Sequence, residues 1–168
     1  MSIIATSSLL SVCFGLSIIL LVSSFDSHLR PFVGTHRSKT AINMSGATGF
    51  IGLGIMGEGM AGRLLSEGVA GTADKPLVVW NRTGSKCTAL KEKFPDATIE
   101  IKDSAKAVVE ACGVTYSVLS TPEAAKAVFE AADGVLAGAG EGRSIVDCAT
   151  LAEADMQRMN EAVVAKGG

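Results

Sequence analysis

Three closely spaced glycines, Gly52, Gly54 and Gly57, form the pattern G-x-G-x-x-G inside Thr48–Leu65, T-G-F-I-G-L-G-I-M-G-E-G-M-A-G-R-L-L. Such a pattern binds phosphate only where a strand ends and a helix begins. Both flanks fit. A short apolar run, Gly49–Ile51, precedes it, and Met56, Met60, Leu64 and Leu65 follow at helical spacing. The first glycine permits a tight turn, the second lets the backbone approach a pyrophosphate, and the third lets the helix pack on the strand. The new helix then offers unpaired N–H groups and the positive end of its dipole to the phosphates. Gly52, Leu53, Gly54, Ile55, Met56 and Gly57 are therefore the expected phosphate-binding turn of a dinucleotide site.

A second group lies at the end of the next apolar run, where Leu77–Trp80 leads into Asn81-Arg82-Thr83. Sites that prefer NAD place a carboxylate there to hold the ribose hydroxyls, whereas an arginine nearby accommodates the extra phosphate of NADP. No carboxylate is present, and a guanidinium can take a phosphate with two parallel bonds. Asn81, Arg82 and Thr83 thus predict NADP rather than NAD. The interval from Gly52 to Asn81 exceeds the usual ~20 residues of the fingerprint, so the Ala70–Pro76 loop is expected to bulge outward.

Other chemistries fail on residue type. Both histidines, His28 and His36, precede the glycine pattern, which removes histidine-based triads and histidine-held metals from residues 45–168. Cys13, Cys87, Cys112 and Cys148 form no C-x-x-C pair, and the last three read as small buried apolar residues in a reducing compartment. No metal site is expected. The only tyrosine, Tyr116, has Ser120 rather than lysine four places on, and Gly57 is followed by Glu58 rather than by lysine. Asp147 reads as a turn cap, Glu100 and Asp103 as a solvated loop pair, and Met56, Met60, Met156 and Met159 as core filler.

The elements that must position these residues alternate along the chain. Strands are expected near Gly49–Leu53, Leu77–Asn81, Ala97–Ile101, Val114–Ser120 and Ser144–Cys148. Helices are expected over Met56–Glu67, Ser85–Phe94, a segment capped by Asp103 and running to Ala111, Pro122 to about Leu136, and Leu151–Ala165. Thr121 is a good cap and Pro122 a good first helical residue, with Glu123 favourable in the first turn. Strand–helix alternation with continuous apolar strands implies an α/β fold, a doubly wound, Rossmann-like parallel sheet with helices on both faces. A domain of this kind over residues 45–168 is long enough for one core.

The chain has 168 residues and a net charge of −2, unevenly spread. In residues 1–44, Arg30, Arg37 and Lys39 stand against Asp26 alone, while the remaining 12 basic and 16 acidic side chains lie in residues 45–168. A mildly acidic domain argues against a nucleic-acid partner, which would require a basic face. Residues 1–44 have an apolar core, densest at Val12–Val22, small residues Ser23 and Ser24, then a basic, hydroxyl-rich stretch after Phe25. That is the composition of a targeting leader, for an organelle (plastid or mitochondrion) or the secretory route. A membrane anchor is the other reading of the same core. A start at Met44 would instead give a cytoplasmic protein.

Four motifs in order carry a family resemblance: G-F-I-G-L-G-I-M-G-x-x-M-A (Gly49–Ala61), V-V-W-N-R-T (Val78–Thr83), V-L-S-T-P-E-A (Val118–Ala124) and I-V-D-C-A-T (Ile145–Thr150). They resemble the β-hydroxyacid dehydrogenases, in particular 3-hydroxyisobutyrate dehydrogenases and glyoxylate/succinic semialdehyde reductases. Likeness to the 6-phosphogluconate dehydrogenases is weaker at Gly54, where their G-L-A-x-M-G carries alanine. The resemblance implies an NADP-binding domain of an oxidoreductase that moves hydride to or from a small hydroxy acid or semialdehyde. It places Leu119 and Ser120 in the cofactor cleft and Thr150 near the nicotinamide and substrate. Arg63 and Ala149 depart from the family's asparagine and serine. The family's sixth strand, substrate loop and helical domain with its catalytic lysine have no counterpart before Gly168, so no catalytic residue is assigned. A truncated module that binds NADP without turnover is the alternative. An apolar edge at the fifth strand is expected, and with it a tendency to self-associate as a homo-oligomer.

Overall fold

The computed structural model describes residues 46–168; the expected leader, residues 1–44, lies outside the described residues. Five strands, β1 (Thr48–Ile51), β2 (Leu77–Trp80), β3 (Ile99–Ile101), β4 (Val114–Ser117) and β5 (Ser144–Asp147), form one parallel sheet in the order β3-β2-β1-β4-β5. Six helices connect and follow them: α1 (Ile55–Ser66), α2 (Ser85–Lys93), α3 (Ala105–Ala111), α4 (Pro122–Glu130), α5 (Val135–Gly138) and α6 (Glu153–Val164). Among the described residues no helix is long and apolar enough to cross a membrane.

Side chains alternate across a strand, so a strand covered on both faces must be apolar at every position. Leu77 and Val79 join Phe50, Ile99 and the inward residues of α1 and α2, Ala61, Leu65, Cys87 and Leu90. Val78 and Ile51 face the opposite way, onto Ala105, Val108, Val109, Phe129, Val135 and Met159. The winding direction reverses between β1 and β4, which leaves a crevice beyond their carboxyl ends.

Several expectations are corrected. The expected helix from Pro122 to Leu136 is two, because Gly134 takes an extended backbone as the N-cap of α5. The break has a partner elsewhere: the carbonyl of Asp133 accepts from the Lys106 N–H at 2.9 Å, in the first turn of α3. The cap of α3 is Ser104 rather than Asp103, its Oγ accepting from the Ala107 N–H at 3.1 Å. Four strands end earlier than expected, so that Leu53, Asn81, Val118–Ser120 and Cys148 belong to the turns that follow them; β1 starts one residue earlier, at Thr48, and β3 two residues later, at Ile99. The Ala70–Pro76 loop stands out as expected, residues 72–75 being exposed, and is tied at its base. The Gly71 N–H donates to the Lys75 carbonyl at 2.7 Å, and the Gly71 carbonyl accepts from the Thr98 N–H at 2.7 Å. Cys148 is exposed, unlike Cys87 and Cys112, and Met56 is 70% exposed rather than core filler. Glu100 and Asp103 are both exposed, as expected, but Glu100 lies in β3 rather than in a loop and pairs with Lys102 at 2.9 Å. Asp147 is not a turn cap; its Oδ1 accepts from Ser117 Oγ at 2.5 Å across the β4–β5 pair.

Both edge strands are partly open: in β3 Glu100 and Ile101 are exposed. In β5 Ser144, Ile145 and Asp147 are half-buried and Val146 is exposed.

Candidate functional site

The three glycines turn out to serve different purposes. At Gly52 the chain leaves β1 with φ at +93°, a left-handed value that side chains oppose, and a Cβ there would lie 2.3 Å from the Val118 carbonyl oxygen. A Cβ on Gly57 would lie 1.9 Å from the Gly52 carbonyl oxygen, so the contact of α1 with the turn exists only without one. A Cβ on Gly54 would meet nothing within 4 Å. Packing therefore requires the first and third glycines but leaves the second unexplained, and its open face suits a ligand that must reach the backbone.

Gly54 is also the N-cap of α1, and no side chain caps it. The Glu58 N–H donates to the Gly54 carbonyl at 2.8 Å, so the N–H groups of Ile55, Met56 and Gly57 have no carbonyl one turn back. Together with the helix dipole they form an anion-binding end. Glu58, in the same turn, is drawn away toward α2: Lys93 Nζ donates to its Oε1 at 2.9 Å. That hydrogen bond and the lysine charge, with a smaller contribution from Lys86, hold the Glu58 carboxyl below its ordinary range.

The crevice between β1 and β4 is an open cleft of about 150 Å³. It gathers Gly52 and Gly54 from the first turn, Asn81, Arg82 and Thr83 from the end of β2, and Leu119 and Ser120 from the turn after β4. The other expected residues lie around it rather than in its lining. Leu53 buries its side chain in the core under α1. Ile55 and Met56 stand 94% and 70% exposed at the start of α1, and Gly57 packs beneath the turn. Thr150 is exposed in the loop between β5 and α6, outside the cleft lining.

Five lining residues were not singled out from the sequence: Trp80, Lys86, Val118, Ala124 and Val128. Lys86 lies in the first turn of α2 and Arg82 in the turn before that helix, and both line the cleft. Ala124 and Val128 are four residues apart on α4, a spacing that helical geometry brings together. No carboxylate lines the cleft, and neither Arg82 nor Lys86 forms an ion pair among the described residues. Trp80 is fixed in the wall by its Nε1, which donates to the Asp103 carbonyl at 3.2 Å. Asn81 holds two parts of the site at once. Its Oδ1 accepts from the Leu53 N–H at 2.9 Å and its Nδ2 donates to the Thr83 carbonyl at 3.0 Å.

An open glycine, a free helix start and a cationic, acid-free far wall in one crevice fit a phosphorylated dinucleotide. Residues 47–168 match the family model for the NAD binding domain of 6-phosphogluconate dehydrogenase. The chain belongs to that family. It is 38% identical over 120 residues to glyoxylate/succinic semialdehyde reductase 1 of Arabidopsis thaliana, an alignment covering 71% of this chain and 38% of that protein. Over 120 residues it is 35% identical to the cytokine-like nuclear factor N-PAC of Anopheles gambiae, covering 71% of this chain and 19% of that protein. Among solved structures it resembles Psf3 in complex with NADP+ and 2-OPP, with a TM-score of 0.62 and 26% identity over 71% of this chain and 39% of that one. The family members it matches are thus much longer than the matched region. The match gives the chain an NAD(P)-binding domain of hydroxyacid dehydrogenase-like oxidoreductases, in agreement with the sheet order and the crevice.

Proposed function

We propose that the chain binds NADP in the β1–β4 crevice, as the cofactor half of an oxidoreductase acting on a small hydroxy acid or semialdehyde. The observation that carries the reading is the pair of cations, Arg82 and Lys86, in a cleft wall without a carboxylate. An acidic residue there would repel a 2′-phosphate, whereas a guanidinium forms two parallel bonds to it and a lysine adds a point charge. In this reading the N–H groups at the start of α1 take the pyrophosphate, with Gly54 allowing it to lie against the backbone. Leu119 and Ser120 line the wall beyond it. Thr150, at the same end of the sheet, is the chain's residue nearest the substrate side. NADP bound there supplies or accepts the hydride.

Trp80 is the only tryptophan and lies in the cleft wall, so it reports occupancy directly. Titrating the full chain with NADPH and NADH should quench its fluorescence, with NADPH binding at least about tenfold more tightly. No change at millimolar NADPH, from folded protein, would remove the reading.

A second reading, binding without turnover, draws support from the similarity to N-PAC proteins, which are named as nuclear factors rather than as reductases. It is also supported by a cleft lining with no histidine and with its single lysine on the Arg82 side. Consumption of NADPH with glyoxylate or succinic semialdehyde favours the first reading; binding without consumption favours the second. Residues 1–44 are proposed as a targeting leader. A fusion of that segment to a fluorescent protein that stays diffuse in the cytosol would refute this.

A further inference from the structure

We infer that Asn81 is a positioning residue, whose amide ties the glycine turn to the Arg82–Thr83 turn and so sets the spacing between the pyrophosphate and 2′-phosphate ends of the site. The inference rests on the reading that the cleft takes NADP. Its geometric basis does not. Leu53 sits between Gly52 and Gly54, and its N–H donates to Asn81 Oδ1 at 2.9 Å across 28 residues of sequence. Two residues beyond Asn81, the Thr83 carbonyl accepts from Nδ2 at 3.0 Å. One planar amide thus bridges the middle of one turn and the far side of the other.

Residue type matters here in a way that charge alone does not capture. The bridge needs an acceptor on one side and a donor on the other, at the reach of a two-carbon side chain. Aspartate keeps the acceptor for Leu53 but turns a second oxygen on the Thr83 carbonyl, where two acceptors repel. Leucine has the shape and neither group. The Leu53 N–H is meanwhile already engaged, so the phosphate-binding amides are those from Gly54 onward, and Asn81 determines how the Leu53 segment presents them. A direct ligand of the 2′-phosphate would act on NADPH alone; a clasp acts on the turn that every nicotinamide dinucleotide shares.

The two roles separate in an experiment on the full chain carrying Asn81→Leu, Asn81→Asp or Arg82→Ala. Hydrogen exchange is followed at Leu53 and Gly52, and NADPH and NADH affinities are measured. In Asn81→Leu the Leu53 amide should exchange about tenfold faster, while Gly52, whose N–H donates to the Trp80 carbonyl at 3.0 Å, stays protected. Both cofactors should weaken about tenfold, NADPH at least as much as NADH. Asn81→Asp should keep Leu53 protected and NADH affinity near wild type while NADPH weakens, and Arg82→Ala should lower the NADPH preference with Leu53 unaffected. The inference is overturned if Asn81→Leu leaves Leu53 exchange and NADH binding unchanged and weakens NADPH alone. If Asn81→Leu does not fold, an unprotected Leu53 amide in Asn81→Asp overturns it as well. Wild-type protein that binds neither cofactor would refute the NADP reading, and the exchange of Leu53 would still decide the clasp.

Discussion

Adding one methyl group to each glycine of the turn separates what the fold needs from what the ligand needs. Gly57→Ala places carbon 1.9 Å from a backbone oxygen, and because neither atom sits at the end of a flexible side chain, the contact of α1 with β1 must open. A loss of more than about 2 kcal/mol is expected in urea unfolding. Gly54→Ala meets no atom of the chain. It should change stability by less than about 1 kcal/mol, the range of an N-cap substitution, and weaken NADPH at least about tenfold by filling the face the pyrophosphate needs. Equal stability losses at the two positions would show that Gly54 has a structural role after all. At the other end of the cleft, Arg82→Ala should weaken NADPH about ten- to hundredfold with little effect on NADH, the value of charge-assisted hydrogen bonds to a phosphate. Lys86→Ala should show the same preference with a smaller factor, because an ammonium contributes charge without paired geometry.

Between elements, the chain relies on a cap that crosses from one segment to another. Arg143, just before β5, donates through Nη1 to the carbonyls of Val109 at 2.7 Å, Cys112 at 3.2 Å and Glu110, at the C-terminal end of α3. Of these, the Val109 carbonyl also accepts from the Cys112 N–H at 3.4 Å; the helix end leaves carbonyls short of partners, and the dipole there favours a cation. Arg143→Met keeps the apolar stem and removes the donors, and should cost about 1–2 kcal/mol in urea unfolding; Arg143→Lys should recover part of it. An unchanged midpoint in Arg143→Met would mean that solvent satisfies those carbonyls equally well. At the start of α4 the cap is local: Thr121 Oγ1 accepts from the Ala124 N–H at 3.2 Å, and Pro122 follows it. The Glu123 carboxyl is held below its ordinary range by its own backbone N–H and by the Thr121 hydroxyl. Thr121, Pro122 and Glu123 were legible in sequence because each acts within one turn. The break at Ala131–Gly134 was not, because its stabilising bond comes from Lys106 on another element.

For the whole molecule, burial under the sheet couples a thiol to stability. Cys112 is 2% exposed, and desolvation pushes its pKa from 9.0 up to about 11, against a smaller opposing effect of the Arg143 charge. A thiol that ionises more readily when unfolded contributes stability in full below pH 9.0, and that contribution is lost as pH rises toward about 11. Thermal unfolding followed from pH 8 to 11 should therefore show a falling midpoint, and Cys112→Ala should flatten part of the fall. Cys87 and Cys148, raised by burial in the same direction, leave part of the fall in place. An unchanged slope in Cys112→Ala would place the alkaline loss elsewhere.

Much of this organisation could be read along the chain, because it depends on neighbours in sequence. Glycine spacing at a strand–helix junction, apolar runs of strand length and an arginine where acid is usual follow from local backbone freedom, burial of both sheet faces and charge. What needed the third dimension were contacts between segments that are distant in sequence. Only folding shows that Gly54 alone of the three glycines faces open space, that Lys86 and Trp80 share the cleft with Arg82, and that Asn81 spends its amide on Leu53 and Thr83. Tertiary packing also exposed Cys148 and Met56, which residue type and, for Met56, helical spacing assigned to the core. A residue's type states what bonds it can make; which atoms come within reach is set by how the sheet brings its turns together.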